Sequence, residues 1–121
     1  MLAVADTFSH AHIAFTAALT AVLAGAVAAW RLTGRRRIVE ALADGVIVGL
    51  AVYLWRASAN MRQLNNDGIA GYSANDWLAP VVTFVALGVY ADLRPPSDPR
   101  RYAQLRAAAT IVALAVNVIT I

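Results

Sequence analysis

The chain has 121 residues, of which 60% are hydrophobic and only 14% are charged. Its mean hydropathy is +0.62, and a soluble fold of this size could not keep so much apolar surface away from water. There is no cysteine, which excludes disulfides, thiol nucleophiles and cysteine-based metal or iron–sulfur sites. The composition therefore predicts a membrane protein.

Four apolar runs occupy most of the chain. Each is about 17–22 residues long, enough to cross roughly 30 Å of hydrocarbon as a helix. Unpaired backbone groups are costly in lipid, and the runs are continuously apolar rather than alternating, so helices are predicted instead of barrel strands. We expect an all-α integral membrane protein with one domain, 1–121, and no soluble module. The predicted spans are 11–32, 38–56, 77–93 and 103–121.

Short turns between the runs predict two antiparallel hairpins. Thr33–Gly34 breaks the helix between the first and second runs, and the proline-rich segment 94–100 separates the third from the fourth. Residues 57–76 form the longer connection between the hairpins. No basic residue precedes the first run, which therefore indicates a retained signal anchor rather than a cleaved signal peptide.

The distribution of arginine predicts the orientation of the hairpins. Cytoplasmic loops of membrane proteins carry an excess of basic residues. Only Arg56 and Arg62 lie near the central connection, so the two short turns are placed in the cytoplasm, with both termini and residues 57–76 outside (N-out, C-out). The excess of basic over acidic residues is thus explained by membrane orientation, and no nucleic-acid partner is expected. The eight arginines that flank the short turns are Arg31, Arg35, Arg36, Arg37, Arg94, Arg100, Arg101 and Arg106.

The type of basic residue also indicates the kind of organism that encodes the protein. All ten basic residues are arginine, in a chain rich in alanine and valine. This bias is typical of GC-rich genomes. We therefore expect a protein of the cytoplasmic (inner) membrane, encoded by a bacterium or a phage.

Small residues recur every fourth position in the first two predicted helices. Ala41, Gly45 and Gly49 form such a stripe in the second helix, and Gly25 is the centre of a similar one in the first. Such stripes let helix backbones approach closely in lipid. Two interpretations stay open: the stripes meet each other within one chain, or they mediate self-association.

Sparse polar residues follow one face of three helices. Their spacing would let them converge on a water-filled path. Alternatively, the threonines bond to carbonyls of their own helix one turn earlier, and Asn117 makes one bond between helices. The second interpretation is favoured, because none of these stripes is continuous. The residues are Thr16, Thr20, Thr83, Thr110 and Asn117.

Two carboxylates lie one turn apart inside the second predicted helix. Asp44 is roughly 9 Å inside the cytoplasmic boundary at 1.5 Å per residue, and Glu40 is one turn closer to it. Carboxylates within a membrane are costly and are usually functional. A proton relay or cation site is one interpretation. The favoured one is an ion-pair network at the cytoplasmic end that includes Asp92 and Arg106.

No set of residues indicates catalysis or a cofactor. His10 and His12 stand alone, whereas a zinc site needs three or four ligands. No pattern indicates a nucleophile with its base, a phosphate-binding loop or a haem ligand pair. We therefore expect no enzyme activity, no metal and no cofactor.

Three functions agree with these features. The first expectation is a homo-oligomer that forms a pore or lesion in the manner of a phage holin, by analogy of architecture. The first alternative is a non-catalytic accessory or scaffold subunit of a larger membrane complex, docked through residues 57–76. The second is a small ion- or proton-coupled transporter or channel that uses Asp44. The expected partners are the lipid bilayer and either further copies of the chain or other membrane subunits.

Overall fold

The computed structural model describes residues 8–60 and 74–120, and both stretches are mostly helical. Four helices are each long and apolar enough to span a membrane, and no strand occurs within these two stretches. The prediction of an all-helical chain with four candidate spans is confirmed. The helices are α1 (His10–Arg31), α2 (Arg37–Ser58), α3 (Ala74–Leu93) and α4 (Pro99–Thr120).

The helices extend beyond the apolar runs where polar residues cap them. α4 begins at Pro99, ahead of the predicted start at 103. The Asp98 carboxylate accepts a hydrogen bond from the backbone N–H of Arg101 at 3.1 Å, and proline suits the first helical position, where no N–H is needed. α2 continues to Ser58, so the predicted 57–76 connection is partly helical at both edges. Its central part, 61–73, lies outside the described residues, as do residues 1–7.

Gly34 makes the turn between α1 and α2 possible. Its φ is +97°, a backbone conformation that residues with a Cβ rarely adopt. The Gly34 carbonyl accepts a hydrogen bond from the backbone N–H of Arg37 at 3.3 Å, where α2 begins. The helix break predicted at Thr33–Gly34 is present.

The four helices form a closed ring in which each helix packs against two neighbours. α1 packs against α2 and α4, and α3 packs against the same two helices. Alanine and small β-branched residues fill the interior, so the helix axes can approach closely. Most of the larger apolar side chains face outward, where lipid can solvate them, although a few, such as Leu87 and Leu105, are buried. Buried residues include Ile13, Ala24, Ala28, Val48, Val52, Leu87, Leu105 and Ala113, and exposed ones include Phe15, Val22, Leu42, Leu50, Phe84 and Ile111.

The closest approach in the ring lies between α1 and α2. A Cβ added to Gly45 would lie 2.9 Å from the Ala21 carbonyl oxygen and 3.3 Å from the Gly25 Cα. A Cβ added to Gly49 would lie 2.8 Å from the Ala21 Cβ, and one added to Gly25 would lie 3.6 Å from the Ala41 carbonyl oxygen. The small-residue stripes of α1 and α2 therefore meet each other within one chain.

Candidate functional site

A cavity of about 310 Å³ opens at the arginine-rich end of the ring. It lies between the turn that joins α1 to α2 and the turn that joins α3 to α4. Most of its lining comes from charged side chains and two tyrosines, which distinguishes it from the apolar interior. The lining includes Arg35, Arg36, Arg37, Arg94, Arg101, Glu40, Asp44, Asp98, Tyr90 and Tyr102.

Asp44 lies at the inner limit of this cavity and is only 1% exposed. Neither of its carboxylate oxygens has a hydrogen-bond partner, and it forms no ion pair with any residue of the described stretches. Buried polar groups in proteins are nearly always hydrogen-bonded, and an unpaired buried charge is costly. Asp44 is therefore the most unusual residue of the interior.

Glu40, one helical turn nearer the cavity mouth, has the partners that Asp44 lacks. Its carboxylate accepts a hydrogen bond from the Tyr90 hydroxyl at 2.8 Å and lies 3.6 Å from the Arg94 guanidinium. Both partners belong to the end of α3, beside the start of α2. Asp44 lies one turn deeper along α2, about 6 Å farther from the end of α3. The Arg94 guanidinium therefore does not reach the Asp44 carboxylate.

Tyr102 holds α4 against α3 beside the cavity. Its hydroxyl donates a hydrogen bond to the Leu87 carbonyl at 2.9 Å, and its side chain is buried. The hydroxyl is thus engaged with a backbone carbonyl, and it forms no hydrogen bond to Asp44. Glu40, Tyr90 and Tyr102 therefore shape the cavity walls and leave the carboxylate of Asp44 without a partner.

Asp92 and Arg106 do not join Glu40 and Asp44 in the network that the sequence predicted. The Arg106 Nε donates to the Phe84 carbonyl at 2.8 Å, and its guanidinium lies 3.6 Å from the centre of the Phe84 ring. Asp92 is exposed and forms no ion pair in the described part of the chain. The reason is helical phase, because Arg106 packs over the outer side of α3 while Asp44 faces the interior.

The polar residues of the bundle interior are satisfied mainly by their own helices. Thr20 donates to the Thr16 carbonyl at 2.7 Å, and Thr83 and Thr110 bond in the same way to Ala79 and Arg106. Thr16 also exchanges a hydrogen bond of 2.8 Å with the hydroxyl of Thr120 on α4. The favoured interpretation of the threonines therefore agrees with the structure.

Asn117 differs from its expected role. Its side-chain amide nitrogen donates to the Ala113 carbonyl of its own helix at 2.7 Å, rather than to another helix. Its side-chain oxygen is buried and has no partner within the described stretches. Within the described stretches, Asn117 is therefore one of three residues with a buried unsatisfied polar atom, together with Asp44 and the Nη2 of Arg56.

The opposite end of the ring is closed by a buried ion pair. The Arg56 guanidinium lies 3.2 Å from the Asp76 carboxylate, and their side chains are 1% and 7% exposed. The Phe8 ring lies 5.8 Å from the same guanidinium, and the Trp55 indole N–H donates to the Asn75 side chain at 3.1 Å. Arg56 was interpreted from the sequence only as an orientation signal, and its pair with Asp76 was not predicted. The signal was present, since opposite charges occupy the last turn of α2 and the first turn of α3.

Of the three acidic residues that line the site, only Asp44 lacks a hydrogen-bond or ion-pair partner in the described part of the chain, and the site offers no metal-binding set. Across residues 8–60 and 74–120, no three histidine, cysteine or acidic side chains converge in a way that could hold a metal ion. The ring of His12 lies 2.5 Å from the Thr120 carbonyl oxygen, at the end of the ring that Arg56 and Asp76 close. The arrangement at the other end can exchange a proton or a cation between the cavity and Asp44.

No protein-family model, curated protein or solved structure matches this chain.

Proposed function

We propose that the protein is a small proton-coupled transporter or proton channel in which Asp44 binds the proton. The observation that carries this proposal is a buried carboxylate without hydrogen-bond or ion-pair partners at the inner limit of a polar cavity. A carboxylate in a membrane-spanning helix is usually functional, and binding one proton removes the charge that makes its burial costly.

The cavity mouth favours a proton over a metal cation. Three of its arginines, Arg35, Arg36 and Arg37, form no ion pair within the described stretches, so the mouth carries excess positive charge. Such a field lowers the local concentration of cations. A proton need not cross this positive field as a free cation. A neutral donor, either water or a weak acid, can carry it to Asp44 and leave its own anion beside the arginines.

The orientation of the helices completes the proposal. The two hairpins, α1–α2 and α3–α4, cross the cytoplasmic membrane with both termini outside, and the arginine-rich turns face the cytoplasm. The cavity then opens to the cytoplasm, and the Arg56–Asp76 pair closes the outer end. The ring, open at its arginine-rich end and closed at the other, is then the inward-open member of a pair of states, and proton movement across the membrane requires the outer end to open.

Labelling with dicyclohexylcarbodiimide tests the proton site chemically. This apolar carbodiimide takes up the proton of a protonated carboxyl group on nitrogen, and the carboxylate oxygen adds to its central carbon, so we expect a covalent adduct on Asp44 in the membrane-embedded protein. Peptide mass spectrometry locates the adduct. Asp44→Asn is expected to abolish the labelling, whereas Asp92→Asn, which removes an exposed carboxylate outside the cavity, leaves it intact. Equal labelling of wild type and Asp44→Asn would reject Asp44 as the site.

Proton flux tests the transport function directly. Purified protein is reconstituted into liposomes that contain a pH-sensitive dye, and a potassium gradient with valinomycin sets the membrane potential. We expect Asp44→Asn to lower the proton flux to that of empty liposomes. Asp44→Glu keeps the carboxyl group and is expected to retain part of the flux. Wild-type flux no greater than that of empty liposomes would overturn the proton channel, and the labelling of Asp44 then decides the coupled transporter, which moves protons only with its substrate.

A homo-oligomeric, holin-like pore is the second candidate. A shallow groove lined by small residues remains open on the outer side of α1 and α2, where another helix could pack; its lining includes Ala21, Gly25, Ala26 and Gly45. In the middle of the helices the exposed large side chains, such as Phe15, Val22, Leu50 and Ile111, are apolar, so a channel between copies would lack a continuous polar wall. Release of a large fluorescent dextran from liposomes would favour the pore, and proton-selective flux would favour the transporter. The accessory-subunit role stays a prediction.

A further inference from the structure

The cavity at the arginine-rich end has unpaired groups of opposite charge at its two limits. Asp44, at the inner limit, has no hydrogen-bond or ion-pair partner in the described part of the chain. Arg35, Arg36 and Arg37 line the mouth, are exposed, and form no ion pair within the same stretches. The first turn of α2 has no side-chain cap, so its backbone N–H groups add positive charge at the mouth. When Asp44 is ionised, the cavity is therefore negative at its inner limit and positive at its mouth.

The other charged groups of the cavity already have partners. The Glu40 carboxylate lies 3.6 Å from the Arg94 guanidinium. The Arg101 guanidinium lies 3.7 Å from the Asp98 carboxylate, and it also donates to a backbone carbonyl at the end of α1 at 2.9 Å. A ligand gains most where it satisfies groups that lack a partner, because an unpaired buried charge is costly. Asp44 and the three arginines of the mouth are therefore the groups that select the ligand.

The walls between the two limits suit an apolar chain. Leu32, Pro95 and Pro96 line them, together with Tyr90 and Tyr102. Both tyrosine hydroxyls are engaged in hydrogen bonds within the protein, so the walls offer the aromatic rings and not the hydroxyls. A cavity of about 310 Å³ is at the small end of the range for ligand sites, so the ligand is small.

The spacing of the unpaired groups sets the length of the ligand. Arg37 and Asp44 are seven residues apart on α2, which separates their Cα atoms by about 10 Å along the helix axis. Both side chains tilt toward the N-terminus of the helix, so the tilt does not bring them together. A hydrogen bond takes up about 3 Å at each end, which leaves roughly 5 Å between the two charges of a bridging ligand. A few methylene groups span this gap, whereas the charges of an α-amino acid are too close together.

We propose that the cavity binds a small ω-amino carboxylate, with its ammonium on Asp44 and its carboxylate among Arg35, Arg36 and Arg37. This zwitterion has no net charge, so the positive mouth orients it and does not exclude it. The inference rests on the proposed function, because the ammonium pairs only with the ionised form of the carboxylate that also binds the proton.

Proton and ligand therefore compete for Asp44. When the ligand binds, the Asp44 proton leaves to water and the ammonium takes its place, which makes the protein an exchanger instead of a channel. The charge of Glu40 is offset by Arg94, so Asp44 is the group that exchanges the proton for the ligand. In the described part of the chain, α1 contributes no titratable side chain to the cavity. The ionisable groups that line the cavity near Asp44 on the other helices are Glu40, Tyr90, Arg94, Arg101 and Tyr102.

Calorimetric titration of the protein in nanodiscs tests the ligand class. We expect γ-aminobutyrate to bind. Butyrate and butylamine, which each keep one of its two charges, are expected to bind roughly tenfold or more weaker, because each loses a charge-assisted hydrogen bond. Glycine keeps both charges at too short a spacing and is expected to be similarly weak. Equal affinity for γ-aminobutyrate and any one of these three compounds would overturn the proposal.

Substitutions at the two limits of the cavity assign the two ends of the ligand. Asp44→Asn is expected to remove the preference for γ-aminobutyrate over butyrate. Replacing all three mouth arginines (Arg35→Gln/Arg36→Gln/Arg37→Gln) is expected to remove the preference over butylamine. Arg100→Gln is the matched control, since Arg100 is exposed at the same end but does not line the cavity, and it is expected to bind like wild type. Retention of both preferences in the first two variants would reject the assignment.

Protection from dicyclohexylcarbodiimide separates this inference from the proton site itself. γ-Aminobutyrate is expected to slow the labelling of Asp44, whereas butyrate at the same concentration corrects for reagent consumed by a free carboxylate. Labelling of Asp44 that γ-aminobutyrate does not slow would overturn the ligand site and leave the proton site intact. Absence of labelling without ligand would count against the proton site, and the titrations then decide the ligand site by themselves.

Discussion

Replacing Arg56 with Met is expected to lower the free energy of unfolding by about 3–5 kcal/mol, the largest single effect among the ion pairs of the ring. The substitution removes the Arg56 cation from a pair whose side chains are both nearly inaccessible, so the buried Asp76 carboxylate loses the ion pair and hydrogen bond that Arg56 provides. Thermal or denaturant unfolding in detergent micelles measures the loss.

Two companion variants separate the ion pair from simple loss of packing. Arg56→Met/Asp76→Leu removes both charges and is expected to be more stable than Arg56→Met alone, because the buried carboxylate is removed together with the cation that offsets its burial. Arg94→Met breaks the more exposed pair with Glu40 and is expected to cost less than about 1 kcal/mol. A similar loss of stability in the Arg56 and Arg94 variants would show that burial of the Arg56–Asp76 pair is unimportant.

Gly45→Ala is expected to destabilise the protein by about 1–3 kcal/mol, whereas Gly25→Ala changes stability little. The reason is the difference in available space. The new methyl group at position 45 would lie 2.9 Å from a backbone oxygen of α1, which cannot move without shifting the helix. At position 25 the nearest backbone oxygen is 3.6 Å away, an ordinary contact distance.

A larger change at the same contact should separate the two helices. Gly45→Leu/Gly49→Leu is expected to disrupt the α1–α2 packing altogether, which proteolysis in micelles and loss of thermal stability would report. Gly34→Ala is a useful comparison, since it strains a turn through its positive φ rather than by a clash. Full stability of Gly45→Ala would contradict the close approach of α1 and α2.

The helices were predictable from the sequence because the hydrocarbon thickness fixes the length of an apolar run. Each predicted span overlaps one observed helix, and the start of α4 differs because hydropathy does not detect the capping by Asp98. The pairing of charges was less predictable. Glu40 and Asp44 are both carboxylates and lie one turn apart on the same helix, so the sequence does not distinguish them. Only Glu40 contacts the end of α3, through Tyr90 and Arg94.

The direction that each side chain faces explains the remaining differences. A difference of one residue rotates a helical side chain by about 100°, which separates an inward from an outward position. Arg106 was predicted to join the acidic residues, but its phase directs it over Gly88 on the outer side. Arg56 was predicted to lie near a loop, but α2 extends past it and carries it into the interior. The directions in which Arg56 and Arg106 face depend on how the helices pack against one another, so hydropathy alone does not predict them.

The contact between α1 and α4 has a consequence for biogenesis. Thr16 bonds to Thr120, so α1, which is synthesised before α4, receives this polar partner only when α4 arrives. During synthesis, the face of α1 that α4 later covers must be tolerated by lipid or shielded by the insertion machinery. A ribosome-bound intermediate that lacks α4 should therefore stay next to the translocon, and release into the bilayer should coincide with closure of the ring.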